Sequence, residues 1–481
     1  MRWFLPLILL AAVLPFASVS AQTAVRLDFR DAVNRALASS PALQETQGQL
    51  RAADGAATAA AGARWPRLGA AESAARSDDP LTVFGYKLSQ RGATFGDFGA
   101  AQFAGPDSLN VTPTALDHPG AYSNYRTRVQ LAWTLYAGGR LSATIARARA
   151  AIAAAQSGNM AARQAVILEV LRAYEGVRAA TAQLAVARKT RTAAASDLAM
   201  ARKRHDQGTV LKSDVLTAQV RFDRSRLGVR TASDQLDHAR EYLRILTGLP
   251  QGTGIVIGPP AEPAMPAAPL ATLQREAAAG NPTLLALRNQ VEGGHAAVSI
   301  QKAAYRPQVS LVLGQDWNGR TLGGPSASSY TIGAVLSWDL FDFGIRRGNV
   351  AHARGELDAA QARVRAYQQR LQLELDRTWR RTREAADRVA VSRTAVRQAG
   401  EAQRILKLRY GQGLATITAL LDGEAALDEA ESELVAARYE LRISRATLLD
   451  ELGELDPARI GSGATDDSPE SMPTAATGAQ P

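Results

Sequence analysis

The chain is written twice. Arg204-His205-Asp206-Gln207-Gly208 returns 205 residues later as Arg409-Tyr410-Gly411-Gln412-Gly413. Val215, Phe222, Val229, Leu236 and Leu243 step by seven. Their counterparts at the same offset, Leu420, Leu427, Leu434, Leu441 and Leu448, are all apolar and step by seven as well. Trp133-Thr134-Leu135-Tyr136 falls on Trp338-Asp339-Leu340-Phe341 by the same shift. A duplicated unit of this size restricts the fold more than composition does, because each half must build the same alternation of elements.

Most of each half reads as helix. Alanine-rich sequence from about Leu141 to Arg204 is broken only by Gly158 and Gly176. As one helix it would be roughly 95 Å long at 1.5 Å per residue. Its counterpart runs from about Ile345 to Tyr410, with shorter partners over Ser213 to Leu246 and Ile417 to Leu452. Helices this long cannot bury themselves in a globule, and a seven-residue apolar step pairs them as coiled coils. Each long helix is therefore expected to fold back on the next through Gln207-Gly208-Thr209 and Gln412-Gly413-Leu414, where glycine suits the left-handed residue that ends a helix. Helical stretches over Arg30 to Arg64 and Leu270 to Tyr305 open the halves. Ser40-Pro41-Ala42-Leu43 and Asn281-Pro282-Thr283-Leu284 match inside them, each a polar cap followed by proline at a first helical position.

Between opening helix and long helix the period switches from 3.6 to 2. In Tyr125 to Leu135 one face carries Tyr, Thr, Val, Leu, Trp and Leu, and the other Arg, Arg, Gln, Ala and Thr. Tyr330, Ile332, Ala334, Leu336, Trp338 and Leu340 share a face in the second half, and Val309, Leu311 and Leu313 alternate with polar residues. Strands are expected at about 65–78, 124–136, 306–317 and 329–341. Strands of about ten residues, apolar on one face and polar on the other, have the pattern of a transmembrane β-barrel. A soluble sandwich stays open on that signal alone. Two points favour the barrel. Four strands cannot close one without other copies. Trp133, Tyr136, Trp338 and Phe341 also cluster where strand meets helix, as an interfacial aromatic belt would.

The reading divides the chain into a signal peptide (1–21), a first repeat (22–248, long helices about 138–206 and 212–247), a linker (249–268), a second repeat (269–455, long helices about 344–410 and 416–452) and a disordered tail (456–481). Arg2, the apolar run Trp3 to Phe16 and the small residues of Val19-Ser20-Ala21 before Gln22 form the signal, the apolar run being short of the about 20 residues of a bilayer span. Its alternative is a membrane anchor. The chain has no cysteine, so disulfides, cysteine metal sites and a lipid-bearing cysteine are excluded. A formal net charge of +10 would point to nucleic acid in a cytosolic protein. Export argues against that partner, and the arginines of Thr378 to Arg397 scatter around every helix face. With five histidines, no phosphate-cradling glycine loop and no nucleophile–base spacing, no catalytic residue, cofactor or metal is expected.

One connection breaks the symmetry. The strands of the second half are joined by the short Asn318 to Ser329. The equivalent segment, about Ser77 to Ser123, is several times longer and rich in Gly, Pro and Phe. It could be a lid or a tolerated insertion. A periplasmic adaptor and a coiled-coil scaffold remain as other readings of the whole. The first would carry one hairpin rather than two, and the second leaves the amphipathic strands unexplained.

Duplicated strand–strand–helix–helix halves, Arg-His-Asp-Gln-Gly and Arg-Tyr-Gly-Gln-Gly turns before Asp214-Val215-Leu216 and Leu420-Leu421-Asp422, and Leu135-Tyr136-Ala137-Gly138-Gly139 with Leu340-Phe341-Asp342-Phe343-Gly344 at the strand–helix junctions resemble the TolC-type outer-membrane efflux proteins. The resemblance runs from Leu27 to Leu455. It implies a mixed all-α plus β-barrel membrane protein. Its trimer would form one 12-stranded transmembrane β-barrel continued by a periplasmic α-helical coiled-coil barrel. It would sit in outer-membrane lipid of a Gram-negative bacterium. There it would conduct substrates passively from an inner-membrane pump, proton-driven or ATP-driven, and a periplasmic adaptor. The resemblance further implies a periplasmic aperture at Asp214, Arg409, Tyr410 and Asp422, with Tyr410 in interhelical bonds that keep it closed. Arg204, Gly208 and Gly413 become the hairpin tips where the adaptor docks. Ala419 departs from the family, which often has an acidic residue there, and His205 replaces the first-half aromatic.

Overall fold

The computed structural model describes residues 25–462, so the signal expected at 1–21 and the tail beyond 462 lie outside it. The described chain forms two compact units. One comprises Gln44–Ala161 and Pro282–Arg370; the other comprises Ala162–Asn281, the residues up to Leu43 and those from Leu371 onward.

In chain order the elements begin with strand β1 (Val25–Leu27) and helices α1 (Phe29–Ser39) and α2 (Pro41–Gly62). Strand β2 (Arg67–Ser77) is followed by α3 (Pro80–Ser89), three short 3-10 turns, α4 (Thr114–Asp117) and β3 (Tyr122–Ala137). Helices α5 (Arg140–Asp206) and α6 (Lys212–Leu246) complete the first repeat. After β4 (Ile255–Ile257) and β5 (Ala261–Pro263) the pattern returns as α7 (Leu270–Gly280), α8 (Pro282–Ala303), β6 (Gln308–Gly319), β7 (Ser326–Ser337), α9 (Ile345–Gly411) and α10 (Ile417–Leu452). Strand β8 (Ile460–Ser462) ends the described chain. Each opening helix is in fact two. Ser40 and Asn281 are held extended, at ψ 118° and 119°, by the proline that follows.

The first unit holds an antiparallel sheet in the order β2-β3-β6-β7. The middle pair, β3 with β6, joins the two repeats, with Arg128 opposite Asp316 and Leu131 opposite Leu313. A register shift at Thr134/Tyr136 bends β3 as it leaves the sheet. The faces divide as the alternation requires. On one face the guanidinium groups of Arg126 and Arg128 both donate to Asp316, each Nε at 2.8 Å, and Asn124 donates to Asn318 at 3.1 Å. The other face is apolar, and Ile332 and Leu336 are each 66% exposed on it. So much exposed apolar surface on one face calls for a covering phase.

The long connection is ordered on the rim of the polar face. Its helix α3 is N-capped by Asp79, which accepts from Thr82 N at 2.8 Å. Gln90 at its other end donates to Ser123 O, Asn124 Oδ1 and Gly319 O. Arg91, with φ 51°, donates to Ser328 O at 3.0 Å. Lys87 and Asp97, 2.6 Å apart, pin the following turn and hold the Asp97 carboxyl down at about 2.

In the second unit the seven-residue stripes pack inward, with Leu236, Leu243, Leu420 and Leu448 buried. Strand β1 pairs with β4, and β5 with β8. The linker is therefore strand-bearing, and the tail expected to be disordered from 456 is ordered through Ser462. Its main chain finds a partner in β5, which is fixed in turn by the buried Glu175 accepting from Ala261 N at 2.8 Å. Arg442 bridges Glu175 and Glu262 behind the pair. The last sheet strand also stops at Ser337, four residues short of the expected end. Trp338 to Phe341 continue without regular structure.

Gly138 sets the junction of β3 and α5. It has φ +64°, and a Cβ there would lie 2.5 Å from the carbonyl oxygen of Ala303. Gly120, at φ +70°, faces open space. Gly138→Ala is expected to cost about 2 kcal/mol or more, because strain and collision add. Gly120→Ala, with strain alone, should cost about half of that. Thermal unfolding of both purified variants in detergent checks the ratio.

Candidate functional site

The expected aperture and docking residues collect at the two helix turns of the second unit. Each turn is closed by the same pair of main-chain bonds. Gly208 N donates to His205 O at 2.8 Å and Thr209 N to Arg204 O at 2.9 Å; Gly413 N donates to Tyr410 O at 3.0 Å and Leu414 N to Arg409 O at 2.8 Å. Gly208 and Gly413 have φ 73° and 78°, the left-handed geometry such a cap requires.

The turns are locked together through Arg204. Its guanidinium lies 5.0 Å from the centre of the Tyr410 ring and donates to the Tyr410 carbonyl oxygen. A Cβ on Gly413 would come within 3.2 Å of Arg204 Nη2. Tyr410 anchors an apolar cluster with Ile417, Leu420 and Leu421, against which Met200 and Leu406 pack. A cation over an aromatic face adds about 0.5–2 kcal/mol, more as water is excluded.

Within the chain Tyr410 takes part in an interhelical bond through its carbonyl oxygen, not its hydroxyl. The residue is only 1% exposed and its Oη has no partner. Burial pushes the phenol pKa up, with Arg204 opposing and Asp214 adding to the rise. Tyr410 thus acts through its ring and its carbonyl.

The charged residues are less tightly held. Asp214 is half-buried at the start of α6, and Arg409 and Asp422 are exposed and form no ion pair among the described residues. Asp422 is therefore not neutralised by an arginine of its own chain. His205 is exposed, with Nδ1 3.8 Å from Asp206.

The aromatic residues lie in the other unit, where strands meet helices. Trp133 Nε1 donates to Arg64 O at 2.8 Å and Trp338 Nε1 to Tyr305 O at 3.2 Å, the same bond in each repeat. Tyr136 and Phe341 are exposed. Sequence reasoning missed Phe343, which meets Phe341 edge-on at 4.6 Å, and Tyr305, which carries Arg346 over its ring at 5.0 Å. Neither has an aromatic counterpart in the first repeat that would have marked it.

No helix among the described residues is long and apolar enough to cross a membrane. A sequence model of the family described as outer membrane efflux protein matches residues 32–249 and 273–454, which takes in most of both repeats. The chain belongs to the outer membrane efflux protein family. It is 27% identical over 363 residues to Protein CyaE of Bordetella pertussis, covering 72% of this chain and 74% of that one. The solved outer-membrane channel OprN matches with a TM-score of 0.74 at 21% identity, over 89% of this chain and 90% of the other. The outer membrane protein VceC of Vibrio cholerae gives 0.71 at 20% identity, over 89% and 97%. Membership places the chain in the outer membrane, in a family of outer-membrane channel proteins.

Because the Tyr410 hydroxyl is buried and unpaired, Tyr410→Phe should change stability by no more than about 1 kcal/mol, and toward gain. Tyr410→Ala should cost about 3–5 kcal/mol. Arg204→Ala should leave the fold intact and speed amide exchange in residues 405–416. Exchange measured by mass spectrometry on the detergent-solubilised protein checks all three, and slowed exchange in Arg204→Ala would contradict the lock.

Proposed function

We propose that three copies of this chain form a passive exit duct through the outer membrane, fed by a periplasmic adaptor and an inner-membrane pump. The observation that carries this is the four-stranded sheet. It has an exposed apolar face, an opposite face bearing arginines and a carboxylate, and two edge strands, β2 and β7, whose outer edges pair with nothing among the described residues. Unpaired backbone groups cannot face lipid, so the edges need other copies and the sheet must close. The apolar face then meets lipid, with Trp133, Tyr136, Trp338 and Phe341 at the interface. The Arg126–Asp316–Arg128 cluster lines water.

The helix turns are proposed as the periplasmic end. Arg204, Gly208 and Gly413 would form the surface that an adaptor engages. Asp214, Arg409, Tyr410 and Asp422 would set the aperture. Three unpaired Asp422 carboxylates near a threefold axis would concentrate negative potential there and attract cations. A wide, wet, polar duct discriminates little among cargoes, so selection would fall to the pump.

The deciding experiment is the mass and conductance of the detergent-solubilised protein. A trimer that forms ion-conducting pores in planar bilayers is expected, and a monodisperse monomer in aqueous buffer would refute the reading. Asp422→Ala should lower cation selectivity and block by trivalent cations while leaving conductance modest; unchanged selectivity would remove Asp422 from the aperture. Gly413→Val, which puts a β-branched residue at φ 78°, should impair export at normal protein levels with the trimer intact.

A further inference from the structure

Two turns inward from the second hairpin lies a pair of carboxylates that the proposed duct does not use. Asp197 on α5 is 0% exposed, and neither of its carboxylate oxygens has a hydrogen-bond partner. Glu424 on α10 is 5% exposed and within hydrogen-bonding reach of Asp197. Only two groups on α9 offset them. Lys407 Nζ stands 3.8 Å from Asp197, and Gln403 Nε2 donates to Glu424 Oε1 at a long 3.5 Å. One partly exposed cation does not neutralise two buried carboxylates, and two ionised carboxylates in contact repel.

The neighbouring charges are already committed. Lys189 pairs with Glu431, Arg221 with Asp428 at 2.7 Å, and Arg404 with Glu401 at 2.8 Å. Arg397 lies on the rim of the same cleft, and the Tyr410 phenol has its pKa pushed up. The missing element is a hydrogen between two oxygens. We propose that Asp197 and Glu424 share one proton and act as a pH-operated latch tying α5 to the first turns of α10, so that the second hairpin is held when the proton is present and loosens when it leaves.

The location suits such a device. Asp422 sits two residues before Glu424. At Gly423 between them, α10 is pressed so close to α9 that a Cβ would lie 2.5 Å from Leu406 Cδ1. A change of spacing at Glu424 is therefore passed to the Asp422 position through a packed contact. A cleft of about 410 Å³, lined in part by Thr190, Gln403 and Glu424, reaches Glu424 from solvent, so protons have a route to its carboxyl. Burial, then the closeness of Asp197 and its charge, push the Glu424 carboxyl up to about 8, against the pull of Lys407. The folded chain keeps this proton where the unfolded chain has lost it. The contribution to stability is then full below the ordinary glutamate range and is lost as pH rises toward about 8. Asp450 and Glu451, on α10 nearer its other end, are also raised by burial, to about 6 and about 7. They act equally in wild type and in a Glu424 variant and cancel in the comparison.

The test compares full-length wild type, Glu424→Gln and Asp197→Asn in detergent and in planar bilayers. Glu424→Gln donates to Asp197 at every pH. Between about pH 6 and about pH 9 the wild-type unfolding midpoint should fall by about 2–4 °C more than that of either variant. The infrared absorption of protonated carboxyls should lose more intensity over the same range in the wild type than in either variant, where Asp450 and Glu451 alone contribute. Equal pH dependence in all three proteins would overturn the latch. The effect on conductance rests on the proposed aperture. If the turns form it, wild-type conductance rises severalfold across this range and that of Glu424→Gln stays at its low-pH level. A wild-type-only loss of stability with flat conductance would support the latch and count against the aperture.

Discussion

The pairing of β3 with β6 is the interaction on which the rest depends. It is the seam between the two copies of the repeat, and its register puts Arg128 opposite Asp316. Sliding β3 along β6 by one residue would turn Arg126 and Arg128 onto the apolar face and away from Asp316. Two arginines on one carboxylate oppose that slip, because each guanidinium would lose its ionic partner and be placed among apolar side chains. The seam also fixes where β3 leaves the sheet, and therefore where α5 begins beyond Gly138.

The helices obey a looser constraint. Water on both sides of a helical wall removes the strong inside–outside contrast of a globular core. Long helices are then held by a narrow stripe of leucines, by alanines that allow close approach, and by isolated polar ties. The lock at the turns belongs to this class. One arginine contacts a ring and a carbonyl, and no long-range charge network supports it. Such a lock is strong enough to order the turns and rests on few enough contacts to be remodelled.

Much of this was legible in the sequence because the repeat supplies an internal comparison. Gly208 and Gly413 marked each other as caps, and Trp133 and Trp338 marked the strand–helix junctions. Elements without a counterpart were the ones misread. Ile460 to Ser462 look like the start of a polar tail, and their pairing depends on Ala261 to Pro263, two hundred residues away and themselves in a proline-rich linker. The long connection after β2 showed its length but not its order, since the bonds of Gln90 reach Asn124 and Gly319 in separate strands. Burial of the Tyr410 hydroxyl is a tertiary fact that the sequence does not display. Asp197 sits in an alanine-rich stretch and becomes notable only when Glu424 arrives beside it from the other repeat.

Duplication has a last consequence at the turns. Arg204 and Arg409 descend from one ancestral position, yet within the chain only Arg204 has a ring to lie on. The residue corresponding to Tyr410 in the first repeat is His205, exposed and without an aromatic neighbour. Around a closed ring of three such chains the six turns would be quasi-equivalent in backbone and alternate in chemistry, tyrosine then histidine. A partner built with true sixfold symmetry would meet two kinds of seat, and a threefold partner could choose between them.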